Sequence, residues 1–220
     1  MGDSSNGGPK MAGPRSKKAG MLVRRVQLLA SILMLVAAFA ISNISSMFAF
    51  DGFVCGISAI LLFCARTTEK KRLESMSGYV RGEKKAENAF IVNGSFSFSI
   101  CLIIAIVLLL LLLGQNGNIS AAVGRGEKAY FVSELRTIWA WVLACLVAVL
   151  ICVAAIVYSH VVFSKESGKA LMDKKTAASV GVSFGILALL AGVTLVASSQ
   201  KAEPEEEEDE DDEADQGETD

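Results

Sequence analysis

The stretch CLIIAIVLLLLLLG, residues 101–114, admits very few folds. It lies in an apolar segment at about 90–113, long enough to cross the roughly 30 Å hydrocarbon layer of a bilayer as a helix. Strands of a soluble core run roughly 4–8 residues, so so long an apolar run does not read as one. Comparable segments occur at about 26–46, 47–65, 137–163 and 176–198. The sequence therefore predicts an all-α, polytopic transmembrane helical bundle of five spans. A four-span version stays open if one of the five is re-entrant or interfacial, and the closely spaced first two are the weakest pair.

The charges respect these boundaries. Net charge is −2, but 13 of the 23 acidic residues lie in the stretch 203–220. Residues 1–21 are rich in Gly, Ser, Pro and Lys and predict a disordered basic lead. Residues 22–198 form the bundle, and 199–220 predict a disordered acidic tail. Polar residues and Arg15, Lys17, Lys18, Arg24 and Arg25 precede the first span, which favours a retained signal anchor over a cleaved signal peptide. Gly2 lacks the Ser or Thr at position 6 of a myristoylation pattern, since Asn6 stands there. Residues 66–89 read as a charged cytoplasmic connector with a short surface helix. Residues 115–136 read as a polar loop on the opposite side.

Alternating sides places 17 Lys and Arg on the side of the N-terminus and 4 on the other. Positive residues are retained on the cytoplasmic side. The N-terminus is accordingly expected in the cytoplasm, and five spans put the acidic tail on the far side. Trp139, Trp141 and Tyr158 stand toward the ends of the fourth span, where amphipathic rings favour the interface.

Two pairs of glycines four apart, Gly52 with Gly56 and Gly181 with Gly185, make flat stripes suited to close helix packing and to a homo-oligomer. Asp51 is the acid at membrane depth, and an ionisable residue there is a candidate functional site. Asn43 and Gln27 are its candidate polar partners; the competing reading makes Asp51 an interfacial marker. Of the sequons at Asn43, Asn93 and Asn118, only Asn118 falls in the expected outer loop and is the candidate glycosylation acceptor. His160 is the single histidine and has no ligand-type residue at metal spacing. Cys55, Cys64, Cys101, Cys145 and Cys152 all lie in apolar runs without CxxC spacing, which predicts no disulfide framework and no metal. No nucleophile, phosphate-loop or dinucleotide pattern appears. The sequence thus points away from an enzyme, from a cofactor and from nucleic acid. The acidic tail is suited to Ca²⁺ through many oxygen ligands, or to a basic partner.

The stretch LVRRVQLLASILMLVAAFAIS, residues 22–42, resembles the first helix of the MARVEL family of tetraspan membrane proteins, which includes synaptophysin and synaptogyrin. Arg24-Arg25-Val26-Gln27 approximates that family's Arg-x-x-Gln start, and the charged connector and the Trp-bearing fourth span have a similar layout. The resemblance covers 22–163; the short first outer loop, the cysteine-free second loop and the fifth span depart from it. It implies a role in membrane apposition, vesicle trafficking or membrane-domain organisation. The resulting expectation is a non-enzymatic membrane organiser, or a structural subunit contacting lipid and other membrane proteins. The rivals are a small transporter or channel component using Asp51, and a lumenal low-affinity calcium binder using the tail.

Overall fold

The computed structural model describes residues 13–44 and 48–167. Four helices follow one another: α1 (Pro14–Ile44), α2 (Ala49–Arg81), α3 (Lys84–Gly124) and α4 (Ala129–Ser167). Among the described residues there is no strand. All four helices are long and apolar enough to cross a membrane. The first four expected spans each fall on one of them, in order. The fifth, at 176–198 with Gly181 and Gly185, and the acidic tail lie outside the described residues.

The expected connectors are largely helix. α2 does not stop at Ala65 but runs through the charged stretch to Arg81, and α3 begins at Lys84. The connector at 66–89 thus shrinks to a two-residue turn. The expected polar loop at 115–136 likewise shrinks, because α3 continues to Gly124 and α4 starts at Ala129. At 1.5 Å per residue, the 33 residues of α2 span about 50 Å and the 41 of α3 about 60 Å. Both far exceed the hydrocarbon thickness, so the bundle projects beyond it.

Backbone geometry closes each turn in the same way. Gly82 has φ +81°, and the N–H of Glu83 donates to the carbonyl of Gly78 at 3.0 Å. Gly126 has φ +65°, and the N–H of Glu127 donates to the carbonyl of Ala122 at 3.0 Å. These are Schellman ends, which satisfy orphan helix carbonyls and need a left-handed residue. Gly82→Ala is expected to cost about 1–2 kcal/mol, the strain of an L side chain in that region. A thermal unfolding midpoint of the detergent-solubilised variant equal to that of the parent protein would sink this reading. The start of α1 is closed from another helix: the N–H of Ser16 donates to the Glu166 carboxylate at 2.9 Å, and the Ser16 hydroxyl bonds it too. An anion at a helix N-terminus is favoured by the exposed amides there, and the Ser16 hydroxyl holds the Glu166 carboxyl below the usual carboxylate range.

α1 packs on α2 and α4, and α3 packs on α2 and α4, while α2 barely meets α4 across the centre. The helices therefore form a closed up-down-up-down ring. The inward faces explain why. In α2 the buried positions include Cys55, Ser58, Leu62, Ala65, Glu69, Arg72, Met76 and Tyr79, alternating by three and four. In α4 they include Leu135, Ile138, Val142, Cys145, Val149, Cys152, Ile156, Ser159 and Phe163, spaced likewise. α1 and α3 keep the same rhythm through Val23–Ile41 and Phe90–Leu108. A 3.5-residue repeat keeps one seam facing its neighbours and is the signature of left-handed bundle packing. Outside this seam the large side chains of Leu29, Phe39, Phe53, Ile60, Ile103 and Ile151 stay exposed, each by half or more. In water such a surface would be costly; in a bilayer it is the lipid-facing side.

Candidate functional site

Two polar layers interrupt the apolar interior. The larger sits toward the end of the bundle that holds Pro14, Arg81, Lys84 and Ser167, and every helix contributes to it. At its centre Arg72 is fully buried. Its Nε donates to Glu69 Oε1 at 2.8 Å, and Nη2 lies 2.5 Å from the same oxygen. Nη2 also donates to Ser159 Oγ at 2.8 Å. The carbonyl of Ile156 lies 2.8 Å from His160 Nδ1 and accepts its proton. That leaves His160 Nε2 as the acceptor for Arg72 Nη1 at 3.1 Å. Arg72 Cζ further lies 5.3 Å above the Phe90 ring, within cation–π range.

Gly94 of α3 makes room for this arrangement. A Cβ there would stand 3.1 Å from Arg72 Cδ and 3.3 Å from His160 Nε2. One turn deeper, Gln27 Nε2 donates to Ser97 Oγ at 3.0 Å, tying α1 to α3. Both Gln27 and Glu69 keep one oxygen, Oε1 and Oε2 respectively, without a protein partner. Toward the helix ends the layer is covered by rings. Tyr79 and Phe163 each pack on Phe90, with centroids 4.8 Å apart in both cases.

The second layer lies near the other end. Asp51 of α2 is buried, and Gln115 of α3 donates to its carboxylate. Gln115 Oε1 has no protein partner. At 1.5 Å per residue, Asp51 and Glu69 lie about 27 Å apart along α2, and Ser97 and Gln115 about 27 Å apart along α3. Both separations approach one hydrocarbon thickness. The two layers therefore bracket an apolar belt of the length a membrane requires.

The sequence-predicted residues fall as follows. Asp51 meets neither Asn43, whose amide bonds the carbonyl of Phe39, nor Gln27, which bonds Ser97. Its partner is Gln115, which falls within the loop expected at 115–136 but lies in α3. Gly52 faces α1 closely: a Cβ on it would stand 2.9 Å from the carbonyl oxygen of Ala38 and would strike Ser42 Oγ. Gly56 is looser, with Ala38 Cβ 3.8 Å away. Asn118 is exposed in the last third of α3. His160 joins the polar layer rather than standing at a free interface. Cys55, Cys101, Cys145 and Cys152 are buried free thiols, and Cys64 is exposed. Among the described residues no three His, Cys, Asp or Glu side chains gather as a metal cluster.

Sequence reasoning did not single out Glu69, Arg72, Ser97, Ser159 or Gln115. A signal for the first two was present: both continue the three–four spacing of α2 from the membrane into the charged stretch.

The fold and its belt define the class, a multi-pass helical membrane protein. No protein-family model, no characterised protein and no solved structure matches the chain.

Proposed function

We propose that this chain is a non-enzymatic integral membrane protein that organises a membrane domain, as in vesicle trafficking, or serves as a structural subunit of a membrane complex. The observation that carries this reading is how the buried polar groups are used. Arg72 with Glu69, Ser159 and His160 ties α2 to α4, and Gln27 with Ser97 ties α1 to α3, so that each helix is held by a buried polar bond to another. Such a network fixes one helix arrangement, which suits a rigid lipid-facing scaffold. The resemblance of 22–42 to MARVEL-family tetraspans points the same way. The excess of Lys and Arg at that end supports a cytoplasmic N-terminus. A fifth span at 176–198 would carry the acidic tail, with its Ca²⁺ or basic partner, to the far side.

The rival is transport coupled to Asp51, favoured by its burial and by the unpartnered Gln115 Oε1 beside it. Transporters commonly place discontinuous helices and polar groups at the midplane, whereas α3 and α4 run unbroken between the two layers. Reconstitution in sealed liposomes separates the readings. The expected result is proton and cation leakage equal to that of protein-free liposomes, with cross-linking in native membranes trapping a discrete complex larger than the 23.3 kDa chain. A protein-dependent flux abolished in Asp51→Asn would overturn the scaffold reading.

A further inference from the structure

We infer that the groove between α1 and α4, at the end of the bundle holding Pro14 and Ser167, binds the headgroup of an anionic phospholipid. The inference rests on the membrane reading above. The groove encloses about 520 Å³. Its mouth carries Arg15 and Lys18 of α1 and Lys165 of α4. All three are exposed, and none makes an ion pair among the described residues. Its other end is lined by Leu22, Tyr158 and Val161, which are also exposed. Glu166 lies in the wall; its carboxylate is turned to the amide and hydroxyl of Ser16 and is also attracted to Arg15, so it offsets part of the positive charge at the mouth.

The polarity of the groove runs along the membrane normal. From Arg15 to Leu22 is about 10 Å along α1, and a headgroup layer is roughly 5–8 Å deep. Leu22 and Tyr158 stand beside Arg24 and His160, at the edge of the apolar belt. A phosphate held by three cations at the mouth would therefore deliver its acyl chains onto the exposed apolar faces of Leu22 and Val161. The tyrosine hydroxyl end suits the ester region between. A lipid of the same leaflet fits this gradient, because the apolar end of the groove continues into the hydrocarbon layer. A soluble anion would engage only the mouth.

The test uses the full chain in nanodiscs containing equal phosphatidylserine and phosphatidylcholine, released into native mass spectrometry to read which lipid stays bound. Phosphatidylserine is expected to be retained preferentially. The triple variant Arg15→Gln/Lys18→Gln/Lys165→Gln is expected to lose about tenfold of that preference, since basic groups near the surface supply the attraction. Leu22→Trp keeps every charge, fills the apolar end and is expected to lose a comparable share. The exposed-site control Lys71→Gln/Lys84→Gln/Lys85→Gln should retain the preference within about twofold. The site is overturned by any of three results: an equal loss in the control, displacement of lipid by millimolar inorganic phosphate, or a preference that appears only after deletion of 203–220. The last would make the acidic tail the occupant. A chain that detergent is not needed to extract would overturn the membrane reading and the site together. A folded, helical, detergent-extracted chain without lipid preference would remove the site alone.

Discussion

Arg72→Met is expected to destabilise the detergent-solubilised bundle by about 3–5 kcal/mol, the cost of removing one partner of a buried ion pair. The side chain is fully buried and has four partners at once, Glu69, Ser159, His160 and Phe90, in the space left by Gly94. Removing the guanidinium leaves the Glu69 carboxylate, itself fully buried, with its second oxygen already unpartnered. It also strands the Ser159 hydroxyl and His160 Nε2 in the interior, where an unmade bond costs more than a made one gains. The double variant Glu69→Leu/Arg72→Met removes both charges and is expected to recover much of the loss, because a buried pair often gives way to apolar residues at little net cost. Thermal unfolding in detergent reads both. An Arg72→Met midpoint equal to that of the parent protein would show that the layer does not hold the helices together.

Gly52→Val is the second large effect, expected at about 1–3 kcal/mol as overpacking of a close helix contact. The nearest fixed obstacle is the Ala38 carbonyl, a backbone atom that yields only if α1 moves as a whole. With little hydrophobic drive between helices inside lipid, a lost close approach is not repaired by collapse. Gly56→Ala supplies the comparison: its Cβ would meet Ala38 Cβ at ordinary van der Waals distance, so the variant is expected to stay within about 0.5 kcal/mol of the parent, the range of substitutions that touch no special feature. Equal stability losses at the two glycines would contradict this account of the α1–α2 contact.

The length and continuity of the apolar runs made the helical class and the order of the first four spans legible. The inside and outside of each helix were not. Lipid-facing positions such as Phe53 and Ile103 are as apolar as core positions such as Leu62 and Ile104, so hydrophobicity alone shows no amphipathic face. The inward seam differs instead in being smaller and more polar, as at Ser58, Ala65, Ser97, Cys101 and Ser159. That is how membrane helices come close. The helix ends were misplaced for a related reason. Charge at Glu69 and Arg72 reads in the sequence as a mark of solvent, yet the two side chains pair with each other and the three–four spacing carries α2 through them. Gln115-Asn116-Gly117 are turn-type residues and suggest a loop, but the break in backbone direction comes only at Gly126, where φ turns positive. Asp51 was legible as a group of interest. Its partner was not, since Gln115 lies 64 residues away in sequence.

The side of each turn tests the central claim most directly. Glu83 and Glu127 are exposed residues of the turns after α2 and after α3. Each is replaced singly by cysteine, as Glu83→Cys and Glu127→Cys, and sealed membranes with the cytosolic face outward are treated with a membrane-impermeant maleimide. A bundle that crosses the bilayer with its Arg72 layer on the cytoplasmic side predicts labelling of Glu83→Cys in sealed membranes and of Glu127→Cys only after detergent. Labelling of both before detergent, or the reverse order, would contradict it.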